Sequence, residues 1–288
     1  AILPLQPWLL AAVHKLTGIS LLTLIKIFPL AIYALNFFSI FLLAAQITKN
    51  ERRAILSSLF YALMPYEIVI IYHGYFMRTD MGIGLINLLL YFSLRALESE
   101  SKILSIMQNS FLAGIFLALL ISCHDLSTAV GITLLLMLFL SVLIMERHFK
   151  RALSLAYGPL IGVVLALPVI YLWSPFFFKE RVPRTTAGVT EAFKQHIFLC
   201  IKQFTDPKSW GISLVPFYIL GIIQLCLSSL MEILGRDEVY KKFAFSSKRS
   251  YNLFIFFWIL MSLLIVYIYP LTYFLGPLPV YRVCCYLI

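Results

Sequence analysis

The chain has 288 residues, 61% of them hydrophobic and 12% charged, with a mean hydropathy of +0.94. Soluble domains are about half apolar and a quarter charged, so this composition excludes a soluble globular protein and requires many membrane passes. The net charge of +10 does not signal nucleic acid, because Lys and Arg gather in alternate connections as the positive-inside rule expects.

Residues 1–20 hold Pro4, Pro7 and Trp8, then Leu9, Val13 and Leu16 at helical spacing with His14 and Lys15 between them. This predicts a short amphipathic helix at the outer interface, anchored by Trp8 and closed by Gly18. Eight apolar runs follow, at 21–45, 56–71, 81–97, 103–122, 126–145, 153–173, 212–231 and 253–269. Most reach the ~20 residues that a bilayer-spanning helix needs at ~1.5 Å per residue. They are continuous, whereas barrel strands alternate over about ten residues. The expected fold is therefore an all-α integral membrane protein of about eight transmembrane helices with short loops, plus interfacial amphipathic helices on the outer face.

Lys26 lies near the outer end of the first run, within snorkelling reach of the headgroups. A pairing of Lys26 with Glu67 is expected at similar depth. The clusters Lys49/Arg52/Arg53, Arg95/Lys102, Arg147/Lys150/Arg151 and Arg236/Lys241/Lys242/Lys248/Arg249 mark one side as inside. Residues 1–20, 72–80, 123–125, 174–211 and 270–288 then fall outside. Within the longest connection, Phe193, Ile197, Ile201 and Phe204 share one helical face and Glu191, Lys194, Gln195 and Lys202 the other, which predicts a second interfacial helix. The chain divides into 1–20 (end of an external loop), 21–174 (six spans), 175–210 (external loop with an amphipathic helix) and 211–288 (two further spans and an outer Pro-rich turn).

Cys123, Cys200, Cys226, Cys284 and Cys285 have no metal-site spacing, and their odd number argues against a complete disulfide framework. No Gly-rich phosphate loop and no hydrolase or zinc-protease motif is present. The chain starts at Ala1 without Met and ends in the apolar run 284–288, which predicts a piece of a longer protein.

The outer turns carry the distinctive residues. Pro4-Leu5-Gln6-Pro7-Trp8 with Thr17-Gly18-Ile19-Ser20, the Leu63-Met64-Pro65 step, Tyr72-His73-Gly74-Tyr75-Phe76-Met77-Arg78-Thr79-Asp80, Ser122-Cys123-His124-Asp125 and Pro277-Leu278-Pro279-Val280-Tyr281-Arg282 occur in that order. As a set they resemble the GT-C class of polytopic glycosyltransferases, the bacterial and archaeal mannosyltransferase- and aminoarabinose-transferase-like enzymes. The resemblance implies transfer of a sugar from a polyprenyl-phosphate-linked donor to a glycan, lipid or protein acceptor. It implies an extracytoplasmic active face in the cell membrane, with membrane lipids as neighbours and no nucleic acid. It fixes no cofactor and leaves room for a divalent cation, Mg or Mn. The family's main acidic motif follows a first helix in the first external loop. Neither is in this sequence: in a piece of a longer protein both would precede Ala1, whereas a complete chain would lack the acidic motif that catalysis in the family uses.

On that reading Asp80 is the leading catalytic candidate, orienting or deprotonating the acceptor or holding cations at the donor phosphate. Its structural alternative is a helix-start carboxylate stabilised by the helix dipole and paired with Arg78. His124 is a candidate acid or base. Asp125 shares that turn, and an N-cap role explains it as well. Arg78, Arg282, Arg181 and Arg184 are candidates for the carrier phosphate, since guanidinium pairs bidentately with phosphate oxygens; headgroup snorkelling is the alternative. His73 and Tyr281 complete the substrate-binding set, although His73, beside Tyr72 and Tyr75, fits an interfacial aromatic belt better than a site. Two rival functions stay open. A transporter or flippase favours ionisable residues at mid-depth, where this sequence has few, and a non-catalytic scaffold or degenerate family member would fit the missing acidic motif.

Overall fold

The computed structural model describes residues 5–63, 78–99, 103–123, 125–146, 149–177 and 249–267, with a few helical positions between 220 and 227. Among the described residues all regular structure is helical: α1 (Leu5–Thr17), α2 (Leu21–Thr48), α3 (Glu51–Ala62), α4 (Arg78–Glu98), α5 (Ile103–Cys123), α6 (Asp125–Glu146), α7 (Phe149–Phe177) and α8 (Arg249–Tyr267). Five contain stretches long and apolar enough to cross a membrane: Leu21–Thr48, Met81–Glu98, Ile103–Cys123, Ser127–Met145 and Ala152–Leu172. A shorter apolar stretch, Ser250–Leu260, belongs to α8. The expected run at 56–71 is described only to residue 63, and that at 212–231 only at isolated positions. The helix expected around 193–204 and the pairing of Lys26 with Glu67 fall outside the described residues.

Local chemistry sets the helix ends. The Gly18 N–H donates to His14 O at 2.8 Å with φ at +71°, the left-handed stop that glycine adopts most readily. Ser20 Oγ then accepts from Thr23 N at 3.1 Å and opens α2. Lys49 closes α2 in the left-handed region with φ +52°, its N–H donating to Ala45 O. Asn50 Oδ1 accepts from Arg53 N at 3.2 Å, so α3 starts at Glu51, five residues before its apolar run. The expected basic connection is thus in part the polar first turn of a helix, as it is again at Phe149, where α7 begins ahead of Lys150 and Arg151.

Two thirds (67%) of the apolar stretch of α4 is buried, against 22–39% in the other four. Helix α4 is therefore central, and its neighbours turn leucine, isoleucine and valine outward. Leu89, Leu90, Leu94 and Leu97 of α4 form the core with Leu117 and Leu120 of α5, Leu138 and Val142 of α6, and Tyr251 and Phe254 of α8. The most extensive packing is α5 on α7, followed by α4 on α5 and α2 on α4, while α8 packs chiefly on α6. Small residues allow the α5–α7 approach. A Cβ at Gly162 would lie 2.8 Å from Gly114 O, and one at Gly158 would lie 3.1 Å from Ala113 Cβ. This is the close small-residue crossing that membrane helices use in place of a hydrophobic driving force.

Candidate functional site

Helix directions decide which chemistry-bearing residues share an end of the bundle. Phe92 of α4 stacks on Phe116 of α5 at 5.5 Å, and Asn109 near the start of α5 donates to Ser105 O and reaches Ser99 just past α4. These two helices are therefore antiparallel. Helix α6 turns back along α5, with Thr128 Oγ1 donating to Leu120 O at 3.0 Å across the turn. A Cβ at Gly131 of α6 would meet Leu120 at 2.7 Å, Leu89 at 3.5 Å and Ile86 at 3.6 Å, so these residues form one layer. Asp80 lies six residues before Ile86, and Asp125 six before Gly131. At 1.5 Å per residue both helix starts stand about 9 Å beyond that layer.

Arg78 and Asp80 belong to the first turn of α4, and Asp125 is the first residue of α6. These three site residues read from the sequence thus share one end of the bundle. Two neighbouring helix N-termini, each carrying the positive end of its dipole, point the same way there. His124, His73, Arg181, Arg184, Tyr281 and Arg282 lie outside the described residues. Among the described residues no three His, Cys, Asp or Glu side chains are grouped to hold a metal ion.

The opposite end holds a second cluster that sequence patterning missed. Glu98, at the end of α4, accepts from Lys49 Nζ at 2.6 Å and Gln46 Nε2 at 2.8 Å, both at the end of α2, and from Tyr251 Oη of α8 at 2.7 Å. Its side chain is only 20% exposed. Donors from two helices thus converge on one carboxylate carried by a third.

Between the ends, a neutral polar layer joins α2, α3 and α4. Asn36 Nδ2 donates to Tyr61 Oη at 2.9 Å, Ser39 Oγ donates to Asn36 O, and Asn87 Nδ2 donates to Ser39 Oγ at 3.3 Å. Tyr33 Oη donates to Ala62 O, the last carbonyl of α3. The Asn36 side chain is fully buried, and its Oδ1 accepts no hydrogen bond among the described residues. A Cβ at Gly84 would come 2.5 Å from that oxygen, so glycine there lets the α4 backbone close over it. The pairs 36/84, 39/87 and 46/98 increase together, which makes α2 and α4 parallel neighbours. A usable signal existed in the sequence: Tyr33, Asn36, Ser39 and Gln46 fall on one face of the first run at helical spacing.

Comparison of the chain with family models, with curated proteins and with solved structures finds no match.

Proposed function

We propose that the chain is the membrane part of a glycosyltransferase that moves a sugar from a polyprenyl-phosphate-linked donor to an acceptor hydroxyl at the extracytoplasmic face. The observation carrying this reading is the shared end of α4 and α6, where Arg78, Asp80 and Asp125 begin two parallel, adjacent helices. In the reaction a carboxylate, Asp80 first, takes the acceptor proton as the hydroxyl oxygen bonds to the sugar C1. The C1–O bond to phosphate breaks through an oxocarbenium-like state, and lipid phosphate leaves with the electron pair. Arg78, with Arg282, Arg181 and Arg184 as further candidates, neutralises that phosphate. His124 supplies a second proton carrier, and His73 and Tyr281 line the substrate. A transporter would call for ionisable groups at mid-depth. The mid-depth residues Asn36, Ser39, Tyr61 and Asn87 are neutral and tied to one another.

The test is transfer by the full-length protein in liposomes from radiolabelled polyprenyl-phosphate sugars, comparing wild type with Asp80→Asn and Arg282→Ala. Loss of transfer in both variants with helicity retained is the expected result. Equal transfer in all three would remove this site, and no transfer from any donor would favour a non-catalytic membrane scaffold.

A further inference from the structure

The Glu98 end carries an inference independent of whatever reaction the other end performs. Helix α8 packs chiefly on α6 and touches α4 only slightly. Yet Tyr251 and Phe254, in its first two turns, are fully buried. The Tyr251 hydroxyl spans to the Glu98 carboxylate, which also receives the Lys49 ammonium and the Gln46 amide. Lys49 is held in the left-handed region with φ +52°, alone in this among the described non-glycine residues. An L-residue with a Cβ meets a steric cost there, so the α2–α3 turn is held in a conformation that the ion pair to Glu98 helps retain.

We infer that Glu98, Lys49, Gln46 and Tyr251 form a releasable latch that closes the first turns of α8 against the ends of α2 and α4. With the latch formed, the start of α8 is sealed from water. With it broken, α8 stays on α6 through its apolar face while its first turns part from α4. The same break frees the Lys49 turn to relax. The device thus couples the α2–α3 turn to the docking of a helix about two hundred residues later in the chain.

Ser250→Cys reads the seal, since Ser250 is 1% exposed at the start of α8 and the change conserves volume. The reporter is placed in the full chain in membranes, with Cys123, Cys200, Cys226, Cys284 and Cys285 replaced, and its labelling by a charged maleimide is timed. Adding Tyr251→Phe is expected to raise the labelling rate by about tenfold or more, the shift that losing a charge-assisted hydrogen bond gives to a local opening equilibrium. Glu98→Ala is expected to raise it further, and Glu98→Gln, which keeps an acceptor, to raise it less. A second reporter, Ser141→Cys, sits fully buried on α6 and is expected to stay protected in every variant. Unchanged labelling at position 250, or equal acceleration at 141, overturns the latch in favour of rigid docking or general loosening.

Discussion

The glycine-rich crossing of α5 and α7 gives a graded test of the packing, because four glycines of the bundle face obstacles of different stiffness. A methyl group at Gly162 would lie 2.8 Å from the Gly114 carbonyl oxygen and 2.8 Å from Leu117 Cβ, neither of which can swing aside. At Gly114 the nearest atoms are Ile161 Cγ2 at 2.7 Å, Ile161 Cβ at 2.9 Å and Gly158 O at 3.0 Å. At Gly158 the contacts relax to 3.1 and 3.3 Å, and at Gly131 the close atom is Leu120 Cδ2, the end of a side chain and not backbone. Alanine gains about 0.8–1 kcal/mol over glycine in helix propensity, whereas overpacking costs about 1–3 kcal/mol. For Gly162→Ala the helices must part by roughly half an ångström, and a gap of that size forfeits about a quarter of each affected dispersion contact. Gly162→Ala and Gly114→Ala are therefore expected to destabilise by about 1–2 kcal/mol net, Gly158→Ala by less, and Gly131→Ala by about zero. Reversible unfolding in mixed micelles, followed by helical circular dichroism, measures the series. The rank order is the test: Gly131→Ala more harmful than Gly162→Ala would refute the assignment of this seam.

Two further outcomes concern the α2 contacts. Lys49→Ala and Lys49→Gly both remove the ion pair to Glu98, but only glycine relieves the left-handed backbone, so Lys49→Gly is expected to be the more stable variant by about 1 kcal/mol in the same unfolding assay. Equal stabilities would show that φ +52° carries no strain. Gly84→Ala is expected to destabilise through its 2.5 Å approach to Asn36 Oδ1, and Asn36→Ser to recover about 1 kcal/mol of that loss in a double-mutant cycle. Strict additivity would remove the Asn36–Gly84 contact.

Apolar runs located the bodies of α2, α4, α5, α6 and α7 closely, because hydropathy reports what leaves water, whether it turns outward or, as in α4, into the core. They missed the first turns of α3 and α7, where Glu51, Arg52, Arg53, Lys150 and Arg151 are polar yet helical; at α3 the Asn50 cap decides, not burial. Gly18 was legible as a stop because its role depends on local backbone freedom alone. The pairing of α2 with α4 was not legible, since Asn36, Ser39 and Asn87 are diluted within long apolar runs and gain meaning only against a partner helix. Of the candidate site, the alternation of basic connections already placed Arg78, Asp80 and Asp125 on one side, and the antiparallel path of α5 between α4 and α6 brings them to one end of the bundle. Glu98 was not singled out, because its donors lie 52, 49 and 153 residues away.

That last separation bears on the order in which the protein is made. While the ribosome is still producing the middle of the chain, Glu98 can already meet Lys49 and Gln46, but Tyr251 does not yet exist. A nascent chain halted before α8 would keep this carboxylate without its tyrosine donor and the apolar flank of α6 without its cover. Both are hallmarks by which unfinished membrane proteins expose themselves to misassembly. Arrival of α8 would remove both at once, so correct biogenesis depends on a helix whose tyrosine emerges 153 residues after the carboxylate it completes.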